Sequence, residues 1–353
     1  MFFKTEGRSP VIQEKHRMIR KGGRMRSTLA VDIGGTKTLV SEVDSDGNVL
    51  HILKADSEVG TMEEKAGHTL QLIRRYEEKY GWASGSIPPE VGIGFNNIVD
   101  PVRGLWMEPG KNGPVFAIRE YMEDALGSIV YVDNDVKCTV MAENEFGAGS
   151  RVGDLIYINV GTGLAAAAIS GGRLIRGTDG FAGEVGYMHG RIPEAVKDTP
   201  GLPGKTSLVP GEERDHELEM TASGMGLRYQ FEKRIAAHRE SVLFGSNPED
   251  INGHVIYQEA ERGDRFAGEL VDNLILTVGF LITNLTCVLS PRKVVLGGGL
   301  IRNQETVDRI RDAVSEHSLR HIEEGIVLTG LDPDYAGLMG AAAIGLGYQK
   351  KYG

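Results

Sequence analysis

The fold of this chain is decided by Leu29-Ala-Val-Asp-Ile-Gly-Gly-Thr-Lys-Thr-Leu-Val-Ser-Glu-Val43, in which the glycine turn Asp32–Thr36 joins two apolar strands. The same arrangement returns at Leu155-Ile-Tyr-Ile-Asn-Val-Gly-Thr-Gly-Leu-Ala-Ala-Ala-Ala-Ile169, around the turn Asn159–Gly163. Each pair of strands is followed by a second turn signal. A strand, a glycine turn and another strand that occur twice predict a duplicated fold with two similar halves.

The two glycine turns are candidate phosphate sites. Glycine tolerates positive φ and lets backbone N–H groups approach an anion closely, so two turns facing each other across a cleft would grip one polyphosphate. Two ordinary hairpins without a ligand are the alternative. Asp32 favours the nucleotide, because a carboxylate at the end of an apolar strand needs a partner such as Mg²⁺. The sequence contains neither GxxxxGK[ST] nor a GxGxxG that opens a helix, so no other phosphate motif competes.

Composition indicates an ordinary soluble protein. The chain of 353 residues is long enough for two domains with a substantial core, and its content of 41% hydrophobic and 25% charged residues is that of a globular protein. A formal net charge of −10 argues against nucleic-acid and anionic-membrane partners. Only two cysteines, Cys138 and Cys287, lie in apolar segments, so we expect a reducing, cytoplasmic location. We also expect no membrane span, since polar residues interrupt the longest apolar run, Leu274–Leu289.

Strands and helices alternate after Ser27, which predicts an α/β architecture. We divide the chain into a flexible basic extension (1–25), an N-terminal lobe (26–135), a C-terminal lobe (136–334) and a terminal helix (335–353) packed back on the N-terminal lobe. The basic segment is either native or the result of a start codon placed before Met25. A polar surface loop is expected between Gly190 and His216. The predicted helices are Thr61–Tyr80, Val136–Phe146, Gly224–Glu240, Gly263–Leu289 and Tyr335–Tyr348.

The junction Val132–Val136 is a second candidate site, because a strand ends and a helix begins at Asn134 and Asp135. The plain interpretation is a helix N-cap, where Asn and Asp are preferred. In the functional interpretation, Asp135 takes the proton from a substrate hydroxyl, which typically contributes about 10²–10⁴-fold in rate. Asn134 would then hydrogen-bond a neighbouring hydroxyl.

Three further segments carry weaker signals. Glu184 stands between two glycines, either as a solvated turn carboxylate or as an acceptor for a polyol. Glu219 precedes a helix start, where an acidic residue also favours the helix dipole. Gly297–Gly299 follows a buried strand. These glycines either allow a flat nucleoside to approach the backbone closely or form a simple strand-to-helix turn.

These segments, in this order, resemble the ROK family (repressor, open reading frame, kinase) of sugar kinases, which belongs to the actin and hexokinase ATPase superfamily. The resemblance runs from about Ser27 to Gly347. It is carried by Asp32-Ile-Gly-Gly-Thr-Lys-Thr38, Asp133-Asn-Asp135, Ala142-Glu-Asn-Glu-Phe-Gly147, Gly161-Thr-Gly163, Arg176-Gly-Thr-Asp-Gly-Phe-Ala-Gly-Glu-Val-Gly186, Leu218-Glu219, Ala222-Ser-Gly224, Leu289-Ser-Pro-Arg-Lys-Val-Val-Leu-Gly-Gly-Gly299 and Leu338-Met-Gly-Ala-Ala-Ala343.

The resemblance implies a two-lobed actin-like ATPase (ribonuclease H-like) fold, duplicated, with a cleft between the lobes. It implies ATP-dependent phosphorylation of a hexose or N-acetylhexosamine (glucose, N-acetylmannosamine or N-acetylglucosamine) with Mg²⁺, in a homodimer. Asp135 matches the family's general base, and Asn134, Glu184 and Glu219 match its sugar ligands. The matched nucleotide positions are Asp32, Gly34, Gly35, Thr36, Lys37, Gly161, Thr162 and Gly163 for phosphate, Asp32 also for Mg²⁺ through water, and Gly297, Gly298 and Gly299 for adenosine.

The chain departs from the family at the sugar side. Many members carry a CxCGxxGC zinc knuckle before the Glu219 position, whereas Pro210–Leu218 contains no cysteine, so we expect no structural zinc. Tyr187 stands where a histidine is common, and we expect it to contact the sugar. Asn96 and Asn97 replace part of a VPG turn, and Pro109-Gly110 replaces a PN pair. The two asparagine amides suit an acetamido sugar or serve a turn.

Two other functions share this resemblance. ROK repressors sense sugars and carry a helix-turn-helix domain of several dozen residues, whereas only about two dozen residues precede Ser27 here. A non-catalytic sugar-binding protein would need no base, yet Asp135 and Asp32 are both present. We therefore expect a kinase.

Overall fold

The repeated strand–turn–strand unit appears as two five-stranded mixed sheets in the computed structural model, which describes residues 27–83, 89–108, 113–149, 151–190 and 217–353. The predictions for residues 1–25, for Pro109-Gly110 and for most of the loop before Glu219 fall outside these ranges. The N-terminal strands are β1 (Ser27–Ile33), β2 (Lys37–Asp44), β3 (Leu53–Asp56), β4 (Glu90–Phe95), β5 (Ile98–Asp100), β6 (Leu105–Met107), β7 (Val115–Phe116) and β8 (Val130–Asn134). The C-terminal strands are β9 (Leu155–Val160), β10 (Leu164–Ser170), β11 (Arg173–Leu174), β12 (Lys293–Gly297) and β13 (Ile326–Leu328).

The two large sheets have the same topology. Their strand orders are β3-β2-β1-β4-β8 and β11-β10-β9-β12-β13. In each, the strand before the glycine turn pairs antiparallel with the strand after it and parallel with a later strand. The duplicated α/β fold is therefore confirmed strand by strand. Strands β5, β6 and β7 form a small separate sheet that follows β4 directly.

The helices of the described chain agree with the sequence pattern in part. They are α1 (Met62–Tyr80), α2 (Ile118–Leu126), α3 (Asp135–Phe146), α4 (Gly224–Arg234), α5 (Gly253–Glu261), α6 (Arg265–Leu289), α7 (Gln304–Ala313), α8 (Glu316–Leu319) and α9 (Ala336–Gly345). Helix α1 begins after Thr61, whose side chain forms a capping box with Glu64. The predicted helix Gly224–Glu240 is shorter, because α4 gives way to a 3-10 turn at Ile235–Ala237. Helices α2, α5, α7 and α8 were not predicted.

Helix α6 corrects the expectation about apolar length. Its 25 residues are long and apolar enough to cross a membrane. The polar residues of this run do not break the helix, since the Thr277, Thr283 and Thr286 hydroxyls each donate to the carbonyl four residues earlier. Most of its side chains are buried in the core of the C-terminal lobe, as expected for the central helix of a packed domain.

Helices α3 and α9 lie between the two sheets. Helix α9 packs against β1, β4 and α3, and α3 also packs against β9 and β10. The approach is close enough to require glycine: a Cβ at Gly92 would lie 1.9 Å from the Ala341 carbonyl oxygen, and one at Gly340 would lie 2.8 Å from Cys138 Cβ. This packing places the start of α3, with Asp135, close to both lobes.

Candidate active site

The first glycine turn is held by main-chain hydrogen bonds and leaves its tip exposed. The Gly34 N–H donates to the Lys37 carbonyl at 3.0 Å. The Ser57 hydroxyl donates to the Gly34 carbonyl at 2.6 Å, and its N–H donates to the Thr36 carbonyl at 3.1 Å. Gly35 and Thr36 are exposed. The turn is thus fixed by Ser57 and Lys37, while Gly35 and Thr36 at its tip are accessible to a ligand.

Asp32 lies at the end of β1 against the first turn of α9. A Cβ at Gly337 would lie 2.5 Å from Asp32 Oδ2, so a larger residue there would displace this carboxyl group. The pKa of Asp32 is raised to about 7: burial is the largest cause, the Asp135 carboxylate adds to it, and the Lys37 ammonium opposes both. Two neighbouring carboxylates that repel each other next to an exposed glycine turn are suited to a cation.

These residues fit Mg²⁺ that arrives with a nucleotide. Mg²⁺ usually binds one or two protein carboxylates and completes its shell with water and phosphate oxygens. The part of the chain that the structure describes contains no group of three or more His, Cys, Asp or Glu side chains that could hold a metal by themselves. That Asp32 holds this ion through water stays a prediction.

The second glycine turn is docked on the start of α4. The Gly161 N–H donates to the Gly163 carbonyl at 3.0 Å. The Gly224 and Met225 N–H groups donate to the Gly161 and Thr162 carbonyls at 2.8 and 3.0 Å. The main chain therefore fixes this turn as it fixes the first.

The segment Gly297–Gly299 lies directly beside the second turn. Gly298 has φ +97°, and a Cβ there would lie 2.5 Å from the Val160 carbonyl oxygen, so the position is restricted to glycine twice over. A Cβ at Gly161 would lie 3.8 Å from the Gly299 nitrogen. The structure therefore brings the predicted phosphate and adenosine segments of the C-terminal lobe together. His254 of α5, which was not predicted, lies beside Gly299.

Asn134 and Asp135 lie at the start of α3. Asn134 is the N-cap of this helix, as in the plain interpretation of the sequence. Its Oδ1 accepts from the Lys137 N–H at 3.1 Å, and its Nδ2 donates to the Asn97 carbonyl at 3.2 Å. Asp135 Oδ1 accepts from the Val136 N–H at 2.8 Å. Burial raises the pKa of Asp135, while this hydrogen bond and the Lys137 ammonium lower it. Asn134 fixes the junction, and its contact with a sugar stays a prediction.

Asn96 and Asn97 form a bend beside the first glycine turn. The Asn97 side chain accepts from the Ile98 N–H at 2.9 Å, so it serves the turn that was the alternative at this position. The Asn96 amide nitrogen would lie 3.6 Å from a Cβ at Gly35. Asn96 thus lies beside the predicted phosphate turn, and its contact with a sugar stays a prediction.

Glu184 and Glu219 come together near the second turn. Burial raises the pKa of Glu184, with Lys137 opposing and the Asp135 and Glu219 carboxylates adding to the rise. Glu219 Oε1 accepts from the Leu164 N–H at 3.1 Å and would lie 2.6 Å from a Cβ at Gly163. Glu219 therefore braces the second glycine turn as well as facing Glu184.

Two basic residues of the site were not among the sequence candidates. Lys137 is only 3% exposed, and its ammonium donates to the Gly180 carbonyl at 2.9 Å. Arg176 forms an ion pair with the buried Asp133 at 2.6 Å. Both contacts join the N-terminal lobe or α3 to the loop that leads to Glu184. A signal was present, since Lys137 is the one charged residue in the otherwise uncharged run Val136–Ala142.

The carboxylates form a chain from one glycine turn to the other. Asp32 interacts electrostatically with Asp135, Asp135 with Glu184, and Glu184 with Glu219. Glu219 in turn touches the second turn at Gly163. The arrangement places a candidate base between two phosphate-binding candidates, which is the geometry that phosphoryl transfer needs.

The ROK family model matches residues 28–347. This chain belongs to the ROK family. Glucokinase of Thermotoga maritima is 26% identical over 90% of this ROK chain and 96% of its own length. Beta-glucoside kinase of Listeria monocytogenes is 26% identical over 88% of this chain and 95% of its own.

Solved ROK structures confirm the two-lobed actin-like ATPase fold. A ROK glucokinase from Streptomyces griseus, in complex with glucose and AMPPNP, aligns with a TM-score of 0.67 and 27% identity, covering 90% of this chain and 98% of its own. A ROK transcriptional regulator aligns with a TM-score of 0.74 and 22% identity, covering 92% of this chain and 79% of its own, which shows the shared fold alone.

This ROK chain also has a cavity of about 490 Å³ outside the site just described. It lies between α5, α6 and α7 and is lined in part by Tyr257, Asp272 and Arg309. None of the predicted site residues reaches it. This cavity is therefore separate from the candidate active site.

Proposed function

We propose that this protein is an ATP-dependent sugar kinase that phosphorylates a hydroxyl of a hexose or N-acetylhexosamine. The glucokinases and beta-glucoside kinases among its relatives support a phosphotransferase acting on a sugar. The observation that carries the proposal is the position of Asp135 at the start of α3, directly after β8, because Gly94 of β4 pairs with Asp133 on one side and with Asp32, at the first glycine turn, on the other. Glucose, N-acetylmannosamine and N-acetylglucosamine are the sugars to test first.

Asp135 is proposed as the general base. It accepts the proton of the sugar hydroxyl as that oxygen attacks the γ-phosphorus, and the bond from this phosphorus to the β,γ-bridging oxygen breaks to release ADP. Burial makes Asp135 a stronger base than an exposed carboxylate, since its pKa is raised. The hydrogen bond from the Val136 N–H holds one carboxylate oxygen in place. The other is left to face the substrate in this proposal.

The two glycine turns are proposed to bind the phosphates through exposed backbone N–H groups. Asp32 would hold Mg²⁺, which when bound neutralises charge on the transferred phosphate. Gly298 and Gly299 would let the nucleoside lie close to the main chain beside His254. Positioning and charge neutralisation of this kind supply most of the catalysis in phosphoryl transfer.

The alternative is a sugar sensor without turnover, because a regulator shares this fold. ADP release measured with Mg·ATP against glucose, N-acetylglucosamine, N-acetylmannosamine, mannose and fructose distinguishes the two. We expect a rate that depends on one of these sugars and stops when EDTA removes Mg²⁺. Sugar binding detected by calorimetry, with no sugar-dependent ADP release for any bound sugar, would favour the sensor.

A further inference from the structure

Two aromatic rings are exposed on either side of Glu184. Phe181 is 45% exposed and Tyr187 is 46% exposed, and their rings stack with centroids 5.8 Å apart at an interplanar angle of 27°. Large apolar side chains left partly exposed beside a polar group are typical of surfaces that bind an organic ligand.

The backbone fixes both rings relative to Glu184. The Glu184 N–H donates to the Phe181 carbonyl at 3.2 Å, and the Tyr187 N–H donates to the Glu184 carbonyl at 3.2 Å. Glu184 directly precedes the 3-10 turn Val185–Tyr187, so Glu184 and both aromatic residues lie in one short hydrogen-bonded segment. The aromatic pair therefore belongs to the region of the predicted sugar site.

The loop that carries the rings is anchored to both lobes. The Lys137 ammonium holds the Gly180 carbonyl, and the Ala166 N–H donates to the Gly183 carbonyl at 2.8 Å. A Cβ at Gly180 would lie 3.0 Å from the Val99 carbonyl oxygen of β5. The rings are therefore presented on a fixed support where the lobes meet, which limits the ordering cost of binding.

We propose that Phe181 and Tyr187 form a second subsite, which binds a ring attached to the phosphorylated sugar through its glycosidic oxygen. The preferred substrate would then be a glycoside or disaccharide rather than a free monosaccharide. This inference rests on the sugar-kinase function proposed above. The polar groups at Asp135 and Glu184 suit the hydroxyls of the reacting sugar, whereas the partly exposed aromatic faces suit the apolar face of a ring that extends outward.

Matched glycosides test the subsite by binding. We would measure Kd by calorimetry for methyl and phenyl glycosides, in both anomers, of glucose, N-acetylglucosamine and N-acetylmannosamine. The two members of each pair share the sugar and differ only in the second ring. For at least one pair we expect the phenyl glycoside to bind about 5- to 10-fold more tightly, which is the size of one aromatic contact.

Alanine variants then locate the preference. In Phe181→Ala and in Tyr187→Ala the ratio of the two Kd values should fall towards one. Phe280→Ala removes a ring of the same exposure from α6, far along the chain from this loop, and should keep the ratio. A wild-type ratio near one for every pair, no binding of any pair, or a ratio that survives both loop variants would overturn the proposal.

The same ligands separate this inference from the proposed function. If phenyl glycosides bind more tightly but no sugar or glycoside gives ADP release, the subsite stands and the kinase function fails. If free monosaccharides are phosphorylated and the phenyl preference is missing, the kinase stands and the subsite fails.

Discussion

The two ends of the cleft are built in different ways. At the predicted nucleotide end, formed by the two glycine turns and Gly297–Gly299, backbone hydrogen bonds predominate: they hold both turns, and Gly298 approaches the Val160 carbonyl closely. At the sugar end, long side chains do the work: Lys137 and Arg176 cross between elements. Where the backbone approaches closely, only glycine is tolerated. Where side chains make the contacts, single substitutions can change the site.

The largest effect is expected where the two ends meet. Asp135→Asn removes the proposed base but keeps the size of the side chain, so kcat should fall by about 10²–10⁴-fold. The sugar Kd measured by calorimetry should change little. Asp312→Asn changes an exposed carboxylate of α7 in the same way, so it is the matched control and should leave kcat unchanged. A kcat within a few-fold of wild type would remove Asp135 from the base role.

Asp32→Asn should break the nucleotide end next. Loss of the carboxylate should lower kcat/KM for Mg·ATP by about 10²–10³-fold, the size of one preorganised electrostatic contact. In wild type, kcat/KM for Mg·ATP should rise as pH increases through about 7, because burial raises the pKa of Asp32 to about 7 and only the ionised form attracts the cation. A flat profile in this range would contradict that role.

The same substitution should stabilise the nucleotide-free protein. Since the folded-state pKa of Asp32 is raised, its contribution to stability is present at low pH and lost as pH rises through about 7. Asp32→Asn should therefore increase the free energy of unfolding by about 1–3 kcal/mol at pH 8, and by less at pH 5. Urea unfolding at the two pH values measures this, with Asp46→Asn in an exposed turn as the control. If Asp32→Asn lowered the free energy of unfolding at pH 8, or raised it no more at pH 8 than at pH 5, the buried charge would carry no such cost.

Gly298→Ala should test close approach separately from backbone conformation. A Cβ there would meet the Val160 carbonyl at 2.5 Å, whereas Gly245, also at positive φ (+84°), has nothing within 4 Å. Positive φ alone costs about 1–3 kcal/mol at most sites. Gly298→Ala should therefore lose more unfolding free energy than Gly245→Ala and should also weaken Mg·ATP binding. Equal losses in both variants would mean that the approach to Val160 is not restrictive.

The smallest effect is expected at the sugar end. Burial raises the pKa of Asp135 and Glu184, and the Lys137 ammonium opposes this rise at both. Lys137→Met should therefore move the acidic limb of the sugar kcat/KM profile to higher pH by about one unit. Lys54→Met, exposed on β3, should not move it. An unchanged limb in Lys137→Met would separate Lys137 from the ionisation of the site.

The difference between the two ends also explains what the sequence could predict. Glycine turns at strand ends can be recognised in the sequence, because the backbone conformation there selects one residue type. They predicted the duplicated fold and the nucleotide candidates. The membrane-length helix α6 was misjudged, because threonine hydroxyls satisfied within the helix look like interruptions in the sequence.

At the sugar end the sequence named residues but not their partners. For Asn97 the sequence left a sugar contact and a turn open; its side chain accepts from the Ile98 N–H in a turn, and the sugar contact stays a prediction. Lys137 was missed, because the carbonyl that it binds lies 43 residues away and no local pattern reveals the contact. Such long-range pairing is fixed only by the packing of the lobes.

The central claim is that phosphate passes from ATP to a sugar held in this cleft. Phosphorus NMR of a reaction with Mg·ATP and the best sugar from the ADP-release assay tests it most directly. We expect one sugar phosphate for each ADP, with almost no free phosphate, because the nucleophile is the sugar hydroxyl. ADP that accumulates with free phosphate and no sugar phosphate would show hydrolysis instead and would contradict the account.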